Sequence, residues 1–300
     1  MERATQGARI RALFENADDE VTVIAPFIKV DALRSLMEVI PAEAHLRCVS
    51  RWLPREIAAG VSDPEILDLL KTRGNFSLSL VDRLHAKLYI AGDRCLAGSA
   101  NVTLAGLGES GEGSNIEVLV ETTIDEPGIA ATLEAIAQDE RAATSSMARA
   151  ARRLAESLSA SKTLPGALTA HWFPGSRRPE QAYGFYTQPP SGYLGVADQI
   201  LLDDLARSNL PPGLNEGEFR DAIRSLLMAI PLAEDLLTAS EDTTLTRSDA
   251  TSWLEAISGD DFSPNDLWIA FVNWMAHFFS DLVMKQEIAE IALRRARLLG

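Results

Sequence analysis

Hydrophobic and polar positions change period repeatedly along the first 125 residues. In QGARIRALFENA, 6–17, Ile10, Leu13 and Phe14 recur at helical spacing. VTVIAPFI, 21–28, is a β-branched run ended by Pro26 and Phe27, the pattern of a buried strand. Asp31 stands as a cap before DALRSLMEVI, whose Leu33, Leu36, Met37 and Ile40 share a helical face. HLRCVS, 45–50, and FSLSLV, 76–81, predict strands. Between them a helix is predicted near 62–72, capped by Ser62 or Asp63 and opened by Pro64. LHAKLYIA (84–91), RCLAGS (94–99) and NIEVLVET (115–122) predict three more strands. A turn at Gly92-Asp93 joins the first two, and a short helix starts near Asn101. GLGESGEGS, 106–114, reads as a flexible loop within the domain, because strand character resumes at once. Alternating strands and helices predict an α/β fold, with a mixed or mainly parallel sheet flanked by helices.

From Pro127 the pattern becomes helical. Residues 128–160 are Ala-rich. Residues 166–195 are rich in Pro, Gly and aromatics and read as an Ω-type loop or a small β element. Helices are predicted over 196–207, 217–229, 231–238, 249–257 and 265–298, the last opened by Ser263 as cap and Pro264 at its first position. The chain is thus expected to divide into a domain at 1–126 and a mainly helical region at 127–300, whose role the sequence does not give and for which partner binding or regulation is the expectation. There is no internal repeat and no second His-x-Lys.

Composition narrows the class. Apolar residues make up 46% and charged residues 24% of the 300, as in ordinary globular proteins. No apolar run is long enough to cross a bilayer. The N-terminal segment lacks the apolar stretch of a secretory signal, and Cys48 and Cys95 form no metal or redox motif. These features predict a cytoplasmic protein with no membrane association. Net charge is −15, shared as −8 in the first 150 residues and −7 in the rest. A body this acidic is a poor non-specific polyanion binder, which leaves room only for a small basic cleft.

Candidate chemistry concentrates in RLHAKLYIAGDRCLAGSANVT, 83–103. On a strand, residues two apart share a face. His85 and Lys87 are therefore expected on one face, with Leu84, Ala86, Leu88 and Ile90 packed inward on the other. An imidazole beside an ammonium is unfavourable unless an anion joins them, and a phosphate is such an anion. The Gly98-Ser99 turn lets backbone and hydroxyl approach it, and Asn101 at a helix start adds amide donors.

This stretch resembles the signature of the phospholipase D superfamily, H-x-K-(x)4-D-(x)6-G-S-x-N. His85, Lys87, Gly98, Ser99 and Asn101 match in type and order, and the flanking VTVIAPFI, AAGVSDPEILDLL and LHAKLYI resemble single-motif members of a restriction-endonuclease-like branch. The resemblance spans about residues 5–125 and implies a phospholipase D-like mixed sheet. It further implies a metal-independent phosphodiesterase without cofactors, a nuclease with DNA the favoured substrate, within a restriction or defence system. His85 would attack phosphorus to form a phosphohistidine. A second His85, from the partner in a homodimer built through this domain, would protonate the leaving oxygen. Lys87, Ser99 and Asn101 would hold the phosphate.

Two departures matter. Position 92 carries Gly where the signature has Asp, and the motif is present once. Asp93 reads as a turn residue, so Glu117 is the candidate carboxylate that orients His85, or else a solvated edge glutamate. Two rival readings stay open. One is a phospholipid-cleaving enzyme, which would call for an apolar entry or a secretory signal. The other is a degenerate, non-catalytic interaction subunit, which Gly92 and the acidic balance favour. Outside the motif, His45 reads as solvated or capping, His171 as a turn-packing residue, and His277 as part of a core stripe with Trp268, Phe271, Trp274 and Phe278. Arg177-Arg178 could touch a nucleic-acid backbone, and Arg294, Arg295 and Arg297 complement a helix end.

Overall fold

The computed structural model describes residues 5–160, 172–192, 194–238, 244–258, 262–287 and 291–295. Two compact units divide the chain, Met1–Arg152 and Arg153–Gly300.

The first unit carries α1 (Gln6–Phe14), β1 (Glu20–Ile24), α2 (Val30–Met37), β2 (His45–Ser50), α3 (Pro54–Ala58), α4 (Ile66–Arg73), β3 (Phe76–Leu80), β4 (Leu88–Ala91), β5 (Arg94–Gly98), α5 (Leu104–Leu107), β6 (Leu119–Thr123), α6 (Pro127–Asp139), β7 (Arg141–Ala142) and the start of α7 (Ser145–Ala160). Its seven-stranded sheet has the order β6-β5-β4-β1-β2-β3-β7. β1, β2 and β3 run parallel, and the remaining pairs are antiparallel. The mixed α/β class expected from the pattern is the one observed. Period-2 alternation sorts side chains to two faces. Val23, Cys48, Tyr89 and Leu96 lie in register on one face, where Phe14 of α1 meets Tyr89 at 6.3 Å between ring centroids. Ile24, Val49, Leu88, Ile90 and Cys95 form a cluster on the other face with Ile136 of α6.

Local boundaries differ from the sequence reading in ways that bear on the site. β4 starts at Leu88, so residues 84–87 precede the ladder. β6 starts at Leu119, after Glu117. Asn101 is not at a helix start: α5 begins at Leu104 with Thr103 as cap. Nor does Asp31 cap α2. Lys29 holds the cap position, and Asp63 reaches across to accept from the Val30 N–H at 3.0 Å and from Lys29 Nζ at 2.7 Å. A carboxylate distant in sequence thus does the capping that the neighbouring one was expected to do. The composition shift at Pro127 is not the edge of a compact unit. α6 buries Ile136 in the sheet core, and β7 pairs with β3. His45 bonds Asn75 and Ser77 at 2.9 and 3.0 Å.

The second unit contains α8 (Ala182–Thr187), α9 (Val196–Ser208), α10 (Glu216–Met228), α11 (Pro231–Thr238), β8 (Thr244–Leu245), α12 (Arg247–Ile257), α13 (Pro264–Phe278), β9 (Val283–Glu287) and β10 (Ile291–Arg295). Ser263 and Pro264 open α13 as expected, with a reciprocal Ser263–Asp266 capping box. The helix predicted over 265–298 is not continuous. It ends at Phe278, and the alternating VMKQE and IALRR form an antiparallel pair to which β8 adds. Arg294 and Arg295 therefore belong to a strand rather than to a helix end, while Arg297 and His171 lie outside the described residues. Trp268, Phe271, Trp274 and Phe278 are buried in the core of this unit. His277 stands edge-on to Phe278, and burial, then Arg220, lowers its pKa.

Asp204 of α9 is fully buried and holds the backbone at Gly175 and Ser176. It accepts from both backbone N–H groups and pairs with Arg207. Burial raises its pKa to about 6 from an ordinary 3.8, against the opposing pull of Arg207 and the two N–H donors. The unfolded chain therefore releases this proton first. The stability from the protonated form is full below about pH 4 and is lost as pH rises through about 6. We expect wild type to lose on the order of 3 kcal/mol relative to Asp204→Asn between pH 4 and pH 7. Denaturant titrations of both proteins across that range check this, and parallel pH dependences would contradict it.

Candidate active site

His85 and Lys87 precede β4, Ser99 and Asn101 follow β5, and Glu117 precedes β6. Because these strands alternate in direction, all five residues arrive at one end of the sheet. Ile24, the last residue of β1, pairs with Leu88, so this is also the carboxyl end of the parallel strands. That is the usual position of sites in open α/β sheets.

The 84–87 segment keeps its alternation without a strand ladder. Leu84, Ala86, Leu88 and Ile90 face the cluster beneath α6, while His85 is exposed. Three contacts hold the backbone: Leu84 N–H to Val81 O at 3.0 Å, Arg51 Nη1 to Leu84 O at 2.7 Å, and Gly98 N–H to Lys87 O at 3.1 Å. Lys87 is buried, and its ammonium turns back to donate to His85 O at 2.7 Å.

Gly98 has a steric reason. A Cβ there would stand 1.9 Å from the Val118 carbonyl oxygen. That close passage stitches the end of β5 to the segment before β6. Ser99 N–H donates to Val118 O at 2.9 Å, and Val118 N–H donates to Ser99 Oγ at 3.0 Å. Ser99 Oγ in turn donates to the Glu117 carboxylate, which also accepts from Asn115 Nδ2 at 3.0 Å. Glu117 is therefore engaged by Ser99 and Asn115, and among the described residues no hydrogen bond links it to His85. The buried Asn101 Oδ1 finds no donor among the described residues. Asp93 occupies the β4–β5 turn, at the opposite end of the short β4 from His85.

Electrostatics single out Lys87. Burial lowers its pKa first, Arg51 lowers it further, and Glu117 opposes both. Arg51 follows β2 directly. Its guanidinium is clamped by Glu56, with Nε 3.0 Å from Oε2, and lies 5.4 Å from the centroid of the Phe27 ring. The motif reading missed these three residues. Their one sequence signal is position, since Phe27 and Arg51 come just after strands that end at the site. Cys48 and Cys95 are buried, and burial raises their pKa values to about 12 and about 11, so neither thiol is a ready nucleophile. No group of three or more His, Cys, Asp or Glu is placed to hold a metal ion among the described residues. Among those residues, too, no helix is long and apolar enough to cross a membrane.

No family model matches the chain, and no curated protein matches it in sequence. Among solved structures, it is similar to NucT from Helicobacter pylori at 16% identity, over 44% of this chain and 84% of that one, with a TM-score of 0.33. TrmBL2, described as an archaeal chromatin protein with a novel mode of DNA binding, is similar at 18% identity over 44% of this chain and 47% of that one, with a TM-score of 0.29. Likenesses this distant carry no argument about the site.

Two outcomes follow from the geometry. Arg51→Gln removes the nearby positive charge, so the Lys87 amine should titrate at higher pH; ¹⁵N NMR of the lysine side chains reads this directly, and an unmoved or lower value would contradict it. Gly98→Ala should force the β5–β6 junction apart, giving faster amide exchange at Ser99 and Val118 while β1 and β2 stay protected.

Proposed function

We propose that the protein is a metal-independent phosphodiesterase acting on nucleic acid, with DNA the favoured substrate, through a phosphohistidine intermediate. The observation that carries this reading is the convergence of exposed His85, buried Lys87, Ser99 and Asn101 at one end of the sheet. In this reading His85 attacks phosphorus as the P–O bond to the leaving group breaks, and a second His85 protonates that oxygen. The second His85 then takes a proton from water, which hydrolyses the phosphohistidine and frees the first His85. Lys87, Ser99 and Asn101 meet the phosphoryl charge throughout. A phosphate oxygen relieves the crowding of positive charge between Lys87 and Arg51. Glu117 holds Ser99 in place and offsets the charge of Lys87.

One His85 cannot be both nucleophile and general acid in the same step, so the active species is a homodimer in which two His85 side chains meet. The segment that supplies Glu117 offers a surface for it. Ile116 is fully exposed, and Val118 and Val120 are 58% and 59% exposed. Val120 lies opposite Ala97, on the face that α6 covers elsewhere. Arg9 and Gln6 occupy the outward carbonyls of Leu119 and Glu117, at 2.7 and 3.0 Å, so the strand edge is blocked and the apolar face is left for the partner.

The test incubates purified protein with single-stranded DNA, duplex DNA, RNA and a lipid diester, in EDTA throughout. We expect nucleic acid to be cleaved and an acid-labile phosphoryl adduct to form on His85. His85→Ala should lose essentially all activity with the dimer intact, and Lys87→Ala should slow cleavage by about 10²–10³-fold. Val118→Glu with Val120→Lys should yield a monomer by sedimentation and abolish turnover. An active monomer, cleavage restricted to the lipid, or activity lost in EDTA and restored by a divalent ion would overturn the reading. A folded dimer inert toward every substrate would favour the interaction-subunit alternative.

A further inference from the structure

Directly beside His85 lies an open cavity of about 330 Å³ between residues 81–86 and α6. Its walls are mostly apolar: Val81, Leu84 and Ala86 on one side, Ala131, Ala135 and Ile136 on the other. At the rim Arg83 pairs with Asp139, so the mouth adds no net charge from these two groups. Thr132 also lines it; the proton of its hydroxyl is spent on Gly128 O at 2.7 Å, so that oxygen can act only as an acceptor. His85 itself lines the cavity together with Leu84 and Ala86, so the cavity opens at the proposed nucleophile. The cationic groups, Lys87 and Arg51, are not among its lining residues.

This division of chemistry has a direct consequence. A phosphodiester whose phosphorus is met by His85 would place its anionic oxygens toward Lys87. One of its two substituents would then be brought to a neutral, apolar cavity with an acceptor at one wall. We propose that this cavity is a subsite for the nucleobase flanking the scissile phosphate, an inference that rests on the phosphodiesterase reading above. Size favours one ring system. Ligand sites span roughly 300–1,000 Å³, and this cavity of about 330 Å³ lies at the small end, too small in volume for a diacyl lipid tail. The apolar walls take the faces of the base, while Thr132 Oγ1 and the rim pair meet its polar edge. A base buried this way is recognised through its flat faces, so discrimination among the four bases is expected to be weak.

The experiment compares an oligonucleotide of defined cleavage position with two copies that carry a tetrahydrofuran abasic residue, one on each side of the scissile phosphate. For wild type, removing one of the two bases should lower kcat/KM on the order of ten- to a hundredfold, the range expected for loss of one stacked base. Ala131→Trp and Ala135→Leu fill the cavity from α6 and leave every residue of the 81–86 wall in place. Each should bring cleavage of the intact oligonucleotide down to the abasic level and leave cleavage of that abasic copy unchanged. Thermal unfolding of both variants verifies the fold, and Ala131 is exposed, so its replacement leaves the core in place. Wild type that cleaves all three oligonucleotides equally, or variants that slow intact and abasic copies by the same factor, would overturn the subsite while leaving the phosphodiesterase standing. Wild type that cleaves none of the three would instead overturn the reading on which the subsite rests.

Discussion

The close passage of the Val118 carbonyl over Gly98 is the contact on which the rest of the candidate site depends. Only a residue without a Cβ lets the segment before β6 approach the end of β5 this closely. Once it does, Ser99 and Val118 exchange hydrogen bonds, Ser99 reaches Glu117, and Glu117 lies close enough to act on Lys87. One steric fact thereby links three segments separated in sequence. Glycine at this position serves close approach, since its φ is not in the left-handed region. The Gly92 of the β4–β5 turn is the contrasting case, with φ of 61°.

Around that contact the sheet topology does the positioning. β4, β5 and β6 alternate in direction, so the start of one strand, the end of the next and the start of the third come together. The parallel β1 and β2 end at the same edge and contribute Phe27 and Arg51. Arg51 has two roles there. It holds the Leu84 carbonyl, which fixes the backbone just ahead of His85, and its charge makes the ammonium form of Lys87 less favourable. Its own charge is neutralised by Glu56, so a local excess of positive charge remains modest within a strongly acidic protein.

The two sides of His85 differ in kind. Toward Lys87 the surroundings are polar and hydrogen-bonded, while toward α6 they are apolar and partly empty. This contrast arises from the alternation of 84–88, which sends Leu84, Ala86 and Leu88 into one face. α6 then covers that face incompletely, with Ile136 its one fully buried side chain.

Much of this was legible in the chain itself. Alternation of period between 2 and 3.6 determined β1 to β6, most of the helices and the mixed α/β class, and the inward set Leu84, Ala86, Leu88 and Ile90 followed from the same rule. Spacing singled out His85, Lys87, Ser99 and Asn101 as one constellation because local order along β4 and β5 carries them. Tertiary structure alone decided the rest. Where β4 and β6 begin depends on their ladder partners, and α5 begins only at its Thr103 cap because Val102 is bonded to Phe27 and Lys29, so a periodic pattern overran these starts by several residues. Asp63 rather than Asp31 serves the start of α2, because a cap is chosen by proximity in space. A strand pair, not a longer helix, follows Phe278, since ladder partners distant in sequence compete with helical propensity. Arg51, Glu56 and the cavity beside α6 left no motif, because each is defined by groups that meet only after the sheet has formed.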